Sequence, residues 1–231
     1  MHTQPLYVED SYLKTFTATV TRTGPRFVVL DRTAFYPEGG GQPSDKGTLE
    51  AGGETLNLVK AMKRGDQIFH YLDGDIPEGT QVTGTLDWSR RFRHMRLHSG
   101  EHLLTGLLEA AGSGPKVFSS FTQLDFKPSE LTQQTLDDVS ERFNEVIDMD
   151  LPVEAYHVDR EELDVGDDAR KQSFLKKIPD NVHRLRMIRI GDHALTFCMG
   201  THVGRTGEIG RLKETRLEPK KKRRKIVYFT L

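Results

Sequence analysis

The chain has 231 residues, of which 35% are hydrophobic and 29% charged, and its single cysteine is Cys198. At about 150 residues per domain, this length accommodates one large domain or two small ones with a buried core. No run approaches the roughly 18 apolar residues of a membrane span, and the amino terminus lacks a signal-peptide pattern, so we expect a cytoplasmic protein with no membrane partner. One cysteine excludes an intramolecular disulfide and any four-cysteine metal site.

The net charge of −1 conceals two strongly polarised segments. Residues 125–168 carry fifteen acidic against three basic side chains, and residues 211–225 carry nine basic against two acidic ones. A polarised molecule can present a basic face to phosphate groups although its average charge is near zero. The net charge therefore does not exclude a nucleic-acid partner.

Up to residue 86 the sequence predicts short strands separated by turns that contain glycine or proline. The first two runs flank Gly24-Pro25, and the predicted strands are residues 16–21, 26–30, 55–59, 67–72 and 81–86. Short strands at this spacing are typical of a small barrel or sandwich. We therefore predict a β domain, either a barrel or a sandwich, over residues 1–86.

At Asp87 the hydrophobic period changes from two towards about 3.6, which predicts a long helix that Asp87 caps and Ala110-Ala111-Gly112 ends. Further elements are predicted downstream: a hairpin at 116–125, a helix at 128–148, a strand at 152–158, a hairpin at 182–190 with 194–197, and closing strands at 211–218 and 225–231. We therefore predict an α+β fold class, with a mixed domain over residues 87–231.

Histidines and the only cysteine form a pattern that predicts a metal site. His94, His98 and His102 stack on one helix face, where two imidazoles one turn apart reach one ion but three span too far. Downstream, Cys198 and His202 flank Met-Gly-Thr. A lone histidine or cysteine is usually structural, but the two motifs together supply the three nitrogens and one sulfur that zinc prefers. His94 is interpreted as a buried histidine without a metal role.

At these residues the sequence resembles the editing domain of alanyl-tRNA synthetase and the freestanding alanyl-tRNA editing proteins called AlaX. Three motifs carry the resemblance in the family's order: Phe35-Tyr-Pro-Glu-Gly-Gly-Gly-Gln-Pro-Ser-Asp-Lys-Gly47, His98-Ser-Gly-Glu-His102-Leu-Leu104 and Cys198-Met-Gly-Thr-His202. The first is similar to the glycine-rich segment of the longer AlaX type. The resemblance implies a small N-terminal barrel followed by a zinc-containing editing domain.

The resemblance further implies a zinc-dependent hydrolase that cleaves a wrong amino acid, serine or glycine, from the 3′ end of alanine tRNA. It implies one Zn²⁺ per chain, and the ligands carried over are His98, His102, Cys198 and His202. Gln42 matches a glutamine near the family's reaction site. Ser99 stands where the family often has Thr, and its hydroxyl is a candidate contact for the amino-acid side chain or the attacking water.

Two further features near these motifs have alternative interpretations. Glu101 is either a catalytic base or partner of the adjacent ligand His102, or a solvated surface residue. Gly39, Gly40 and Gly41 either let backbone N–H groups approach a substrate anion or form a turn. The glutamine that follows the glycines, together with the resemblance, favours a substrate-binding role for them.

Two basic clusters are predicted to hold the tRNA backbone through phosphate contacts. One lies at the start of the long helix and consists of Arg90, Arg91, Arg93 and Arg96. The other is Lys220, Lys221 and Lys222, within a basic run for which the alternatives are a solvated hairpin turn and a nuclear-localisation-like patch.

Two other functions compete with editing. The pattern His98-x-x-Glu101-His102 also fits inverted zinc peptidases, in which the glutamate is the general base, although that class takes a downstream glutamate as third ligand. A four-ligand zinc site is equally compatible with a non-catalytic tRNA-binding module that the metal stabilises. The sequence leaves the oligomeric state open.

Overall fold

The computed structural model describes residues 2–162, 175 and 182–231. The chain divides into two compact units, Met1–His98 with Gly200–Val203 and Ser99–Met199 with Gly204–Leu231. Helices and strands both contribute, so the predicted α+β class is confirmed. None of the helices in the described part of the chain is both long and apolar enough to cross a bilayer.

A closed barrel of six strands makes up most of the first unit. The strands of this unit are β1 (Gln4–Pro5), β2 (Thr15–Gly24), β3 (Phe27–Leu30), β4 (Arg32–Thr33), β5 (Gly47–Ala51), β6 (Glu54–Arg64), β7 (Gln67–Leu72) and β8 (Gln81–Leu86). The barrel follows the order β2-β3-β7-β6-β5-β8 with antiparallel neighbours, and β1 pairs with β4 in parallel. The predicted barrel is thus confirmed.

Buried and exposed residues alternate along strands of the barrel, and the buried side chains fill its interior. On β8 the inward positions are Val82, Gly84 and Leu86. A Cβ on Gly84 would lie 2.2 Å from the Phe16 ring, so only glycine lets this ring into the interior. Strand β5 was not predicted, because its run Gly-Thr-Leu-Glu-Ala carries a single β-branched residue, although Leu49 at its centre is fully buried.

The long helix α1 (Trp88–Ala110) begins and ends where the sequence predicts. The Asp87 carboxylate accepts a hydrogen bond from the backbone N–H of Arg90 at 3.1 Å, which caps the first turn. At the other end Gly112 adopts a positive φ of 80°, and Ser113 N–H donates to the Leu108 carbonyl at 2.9 Å. These bonds satisfy the last carbonyls of the helix and stop it.

The second unit is built from two antiparallel sheets and α-helices. Among the residues that the structure describes, its strands are β9 (Lys116–Ser120), β10 (Gln123–Phe126), β11 (Val153–Asp159), β12 (Arg184–Ile190), β13 (Ala194–Phe197), β14 (Glu214–Lys220) and β15 (Arg224–Thr230), and its helices include, besides part of α1, α2 (Gln133–Asp148) and α3 (Thr206–Ile209). One sheet has the order β14-β15-β10-β9 and the other β11-β12-β13. The predicted hairpin at 116–125 corresponds to β9 and β10.

Helix α2 begins later than the predicted residue 128. Its N-cap is Thr132, whose hydroxyl accepts from the Thr135 N–H at 3.1 Å. The helix therefore begins after this capping threonine and not at the preceding Pro-Ser pair. The apolar face of α2 is buried through Leu136 and Phe143, and its Ser140 hydroxyl lies 3.2 Å from Thr215 on β14.

Candidate metal centre

The four sequence-predicted ligands converge in the structure. One ligand atom from each of His98, His102, Cys198 and His202 lies within 4.8 Å of the other three. His98 and His102 occupy successive turns of α1, and the other two follow β13 in one short loop. Both His98 and His202 are buried, and their rings are 4.4 Å apart between centroids. The i, i+4 helix pair and the Cys-x3-His loop therefore present a single donor cluster.

The donor set fits zinc in chemistry and in size. Three imidazole nitrogens and one thiolate are a common tetrahedral set for this ion. Metal–ligand distances of about 2.0–2.3 Å place tetrahedral donors roughly 3.5 Å apart. Because all four donors already lie within 4.8 Å of one another, a shift of about 1 Å closes the cluster around one ion.

Gln42 fixes the orientation of the ligand His98. Its side-chain carbonyl lies 2.9 Å from His98 Nδ1 and accepts the Thr201 backbone N–H at 3.1 Å, while its amide donates to the Thr201 hydroxyl at 2.9 Å. Gln42 is 1% exposed. An acceptor at Nδ1 requires the Nδ1–H tautomer of His98, in which Nε2 is the nitrogen that could bind a metal ion.

Gly200, in the Cys-x3-His loop, is required by the packing of these groups. A Cβ at this position would lie 2.2 Å from His98 Cε1, 2.6 Å from His98 Nδ1 and 3.0 Å from the Gln42 carbonyl oxygen. Glycine thus lets the backbone of the loop pass directly against the ligand ring and its hydrogen-bond partner. The loop contributes shape as well as ligands to the site.

The three glycines before Gln42 form a tight turn. Gly39 and Gln42 exchange both backbone hydrogen bonds, at 3.1 and 2.9 Å, across Gly40 and Gly41. The two central residues have φ values of 58° and 86°, a conformation that favours glycine. The Tyr36 hydroxyl donates to the Gly39 carbonyl at 3.0 Å. The glycines are exposed, whereas the turn directs Gln42 into the interior.

Glu101 makes contacts with the ligand His102 and with a lysine. Its Oε2 lies 2.7 Å from His102 Nδ1, and its Oε1 accepts from Lys116 Nζ at 2.7 Å and from the Thr105 hydroxyl at 3.0 Å. Glu101 is 4% exposed, so the alternative of a solvated surface glutamate is wrong. Both carboxylate oxygens are engaged, one towards the metal ligand and one towards the cation.

The electrostatics of this pair follow from its burial and contacts. Burial raises the pKa of Glu101, but His102 and Lys116 outweigh it and hold that pKa well below its ordinary value. Burial lowers the pKa of His102, whereas Glu101 and Cys198 raise it, with a net result of about 9. Glu101 is therefore a carboxylate that accepts the His102 Nδ1–H, and Nε2 is the nitrogen that faces the other donors.

Cys198 is held through its backbone at the end of β13. Its N–H donates to the Arg186 carbonyl at 3.2 Å, and Arg186 Nη1 donates back to the Cys198 carbonyl at 2.7 Å. Arg186 is 5% exposed, so this clamp is largely shielded from water. The reciprocal bonds fix the direction in which the loop leaves the sheet.

Two other predicted positions on α1 are buried. Ser99, beside the ligand His98, is fully buried. His94 lies outside the four-residue donor cluster, in agreement with its sequence interpretation. Burial, followed by the nearby Arg90, lowers the pKa of His94 to about 4.

The arginines at the start of α1 differ in environment. Arg91 is fully buried: its guanidinium pairs with Asp45, donates to the Ser11 carbonyl at 2.9 Å and contacts the Ala34 carbonyl. This ion pair fastens the helix to loops of the first unit, so Arg91 offers no accessible charge to a phosphate. The remaining members of the predicted cluster are partly or fully accessible: Arg90, Arg93 and Arg96.

The second basic cluster lies at a hairpin tip. Lys220 ends β14, and Lys221 and Lys222 belong to the turn before β15. All three are exposed, and Lys220 forms an ion pair with Glu218. The cluster is a solvated hairpin turn, the form that the alternative interpretation predicted, and it remains accessible to a polyanion.

Sequence reasoning missed the residues that support the ligands. Thr201 and Arg186 were not predicted, and Lys116 was assigned only to a strand. Thr201 lies inside the Cys-x3-His motif, so its position was a usable signal. Lys116 and Arg186 carry no local signal, because each contacts its partner only after the chain has folded.

Comparison with known proteins first defines the class. Residues 8–90 match a family model described as "tRNA synthetases class II (A)". Residues 185–225 match one described as "Threonyl and Alanyl tRNA synthetase second additional domain", and this segment contains Cys198 and His202. The chain thus combines segments related to class II tRNA synthetases.

Curated relatives define the family. The alanyl-tRNA editing protein AlaX-M of Methanosarcina barkeri is 35% identical over 241 residues and covers 99% of both chains. AlaX-M of Methanosarcina mazei is 33% identical, with 99% of this chain and 96% of the relative covered. The alanine–tRNA ligase of Ignicoccus hospitalis is 37% identical over 222 residues, but this chain spans only 24% of that ligase. The chain belongs to the AlaX-M family of alanyl-tRNA editing proteins.

Proposed function

We propose that this protein is a zinc-dependent hydrolase that removes serine or glycine from mischarged alanine tRNA. The observation that carries the proposal is the cluster of His98, His102, Cys198 and His202 donor atoms within 4.8 Å. Family membership supports alanyl-tRNA editing as the activity and alanine tRNA as the partner. These four residues would hold one Zn²⁺ per chain, which would supply Lewis acidity near the ester of the substrate when bound.

The residues around the cluster have distinct roles in this proposal. Gln42 and Glu101 orient the ligands His98 and His102 through their Nδ1 atoms. An aminoacyl ester is already activated, so hydrolysis requires mainly a positioned water and stabilisation of the oxyanion. The exposed turn of Gly39, Gly40 and Gly41 is the proposed contact for the tRNA terminus, whereas the full burial of Ser99 argues against the substrate contact that the resemblance implies for its hydroxyl.

The contacts of Glu101 argue against the peptidase alternative. A peptidase of this pattern needs Glu101 as a general base that reaches a water molecule. Here its two oxygens are engaged by His102 and by Lys116, each at 2.7 Å. The thiolate of Cys198 would also make zinc less electrophilic, which suits an activated ester better than an amide bond.

Two basic clusters, one in each unit, are the proposed contacts for the tRNA backbone. Arg90, Arg93 and Arg96 on α1 and the exposed lysines at 220–222 are proposed to contact tRNA phosphates. Each phosphate contact contributes about 0.7–0.9 to the slope of log affinity against log salt. Replacing the three lysines by alanine should therefore weaken binding and reduce this slope by about 2. If the triple-alanine variant binds as tightly as the wild type at both low and high salt, the hairpin is not part of the proposed tRNA contacts.

The activity is tested with alanine tRNA charged separately with radiolabelled serine, glycine and alanine. We expect the protein to release serine or glycine much faster than buffer does and to leave alanine attached. If none of the three amino acids is released faster than in buffer, the hydrolase is refuted. The tRNA-binding module is then the remaining function. Cleavage of peptides without ester hydrolysis would favour the peptidase instead.

A further inference from the structure

We infer that Lys116 is a positioning residue for the metal ligand His102, acting through Glu101. The inference rests on the proposed function only in taking the four-residue cluster as a zinc site. It adds a residue from outside the three motifs, because Lys116 lies at the start of β9 and not on the helix that carries the ligand.

The contacts form one continuous chain. Lys116 Nζ lies 2.7 Å from Glu101 Oε1, and Glu101 Oε2 lies 2.7 Å from His102 Nδ1. The two ends of the carboxylate therefore serve different partners. The direction of the carboxylate plane, and with it the rotation of the imidazole ring, depends on where the ammonium group holds the far oxygen.

Burial makes this arrangement more than a surface ion pair. The side chains of Lys116 and Glu101 are 18% and 5% exposed, so water competes little for the carboxylate. Exposed ion pairs usually contribute little to stability, because water screens the charges and ordering two long side chains costs entropy. Burial reduces the screening of this pair. The Thr105 hydroxyl, one helical turn beyond Glu101, donates to the same oxygen at 3.0 Å and also contacts Lys116 Nζ at 3.2 Å.

The contact of Lys116 with Glu101 is expected to affect metal binding by His102 and not the chemical step. A metal-binding histidine needs its second nitrogen held by an acceptor, and loss of such a partner typically lowers metal affinity by about 10–100-fold. Lys116 anchors that acceptor on the side opposite the ligand. Without the ammonium group, the Thr105 hydroxyl would still donate to this carboxylate oxygen but would carry no charge to hold it.

The test compares Lys116→Met with Lys116→Arg and with the control Lys63→Met, which removes the same charge from an exposed position on β6. Zinc affinity is measured by competition with a chromogenic chelator, and ligand geometry by the visible absorption of the Co²⁺-substituted protein. We expect Lys116→Met to bind zinc about 10-fold or more weakly and to show an altered cobalt spectrum. Lys116→Arg should recover most of both properties, and Lys63→Met should match the wild type.

A purely structural role would lower the unfolding midpoint of Lys116→Met but leave the zinc affinity and cobalt spectrum of the folded protein unchanged, which would overturn the inference. If Lys116→Met does not fold, Lys116→Gln is measured instead, because it keeps a polar side chain but removes the charge, and weaker zinc binding by the folded variant is the expected result. Unchanged zinc affinity in Lys116→Gln would then overturn the inference. If Lys116→Met binds zinc more weakly but the wild type shows no deacylation, the proposed function alone is refuted. If the wild type binds no zinc, both the proposed function and this inference are overturned.

Discussion

Replacing Gly200 by alanine perturbs the metal centre by a single methyl group. The new Cβ would lie 2.2 Å from His98 Cε1 and 2.6 Å from its Nδ1. Carbon atoms in contact are about 3.5–4.0 Å apart, so an overlap of more than 1 Å has to be relieved. Since Gln42 holds the ring at 2.9 Å, either the ring breaks this bond or the loop bearing Cys198 and His202 withdraws.

Either movement displaces a donor by about 1 Å, whereas zinc ligands must lie within about 0.2 Å of their ideal distances. We therefore expect Gly200→Ala to bind zinc at least about 10-fold more weakly and to lose about 1–3 kcal/mol of unfolding free energy. Chelator competition and urea denaturation measure the two effects. Gly74→Ala is the matched control, because its Cβ would meet only the tip of the Leu56 side chain. Wild-type zinc affinity in Gly200→Ala would refute this account of the loop.

Three further predictions test the supports of the site and the first unit. Gln42→Leu removes the acceptor at the ligand's Nδ1, so zinc affinity should fall about 10–100-fold in chelator competition, and an unchanged value would contradict its orienting role. Asp45→Ala leaves the Arg91 charge buried without its partner, so urea denaturation should show a loss of about 3–5 kcal/mol, and a loss below about 1 would contradict it. Burial lowers the pKa of His70 from 6.5 to about 4, so between these pH values the unfolded chain binds a proton at His70 that the folded chain does not bind. The free energy of unfolding should therefore fall by up to about 3 kcal/mol as the pH drops from 6.5 to 4. His70→Leu should reduce that pH dependence in urea denaturation, and an identical slope would be the contrary result.

The sequence predicts those parts of the structure that depend on local signals. The cap Asp87 and the glycine at 112 set the ends of α1, and the turn residues between the predicted strands give the bounds of β7 and β8. The donor cluster is predictable for the same reason, since an i, i+4 histidine pair and a Cys-x3-His loop are each local patterns. Neither motif alone predicts a metal site, but the two together predict that their side chains converge.

The remainder depends on partners far apart in the chain. Arg91 has the same sequence environment as its arginine neighbours, and only Asp45, 46 residues away, converts it into a buried ion pair. The role of Gly200 follows from a ring placed by another segment, and the contact between Gln42 and His98 spans 56 residues. Lys116 likewise becomes a partner of Glu101 only when β9 packs beside α1.

The dependence of serine release on bound zinc tests the central claim most directly. Purified protein is assayed for zinc content and for deacylation of serine-charged alanine tRNA, then stripped with a chelator and reconstituted. The account predicts about one zinc per chain, loss of serine release in step with zinc removal, recovery on adding zinc, and neither property in Cys198→Ala. Serine release at the same rate from zinc-free protein would contradict it.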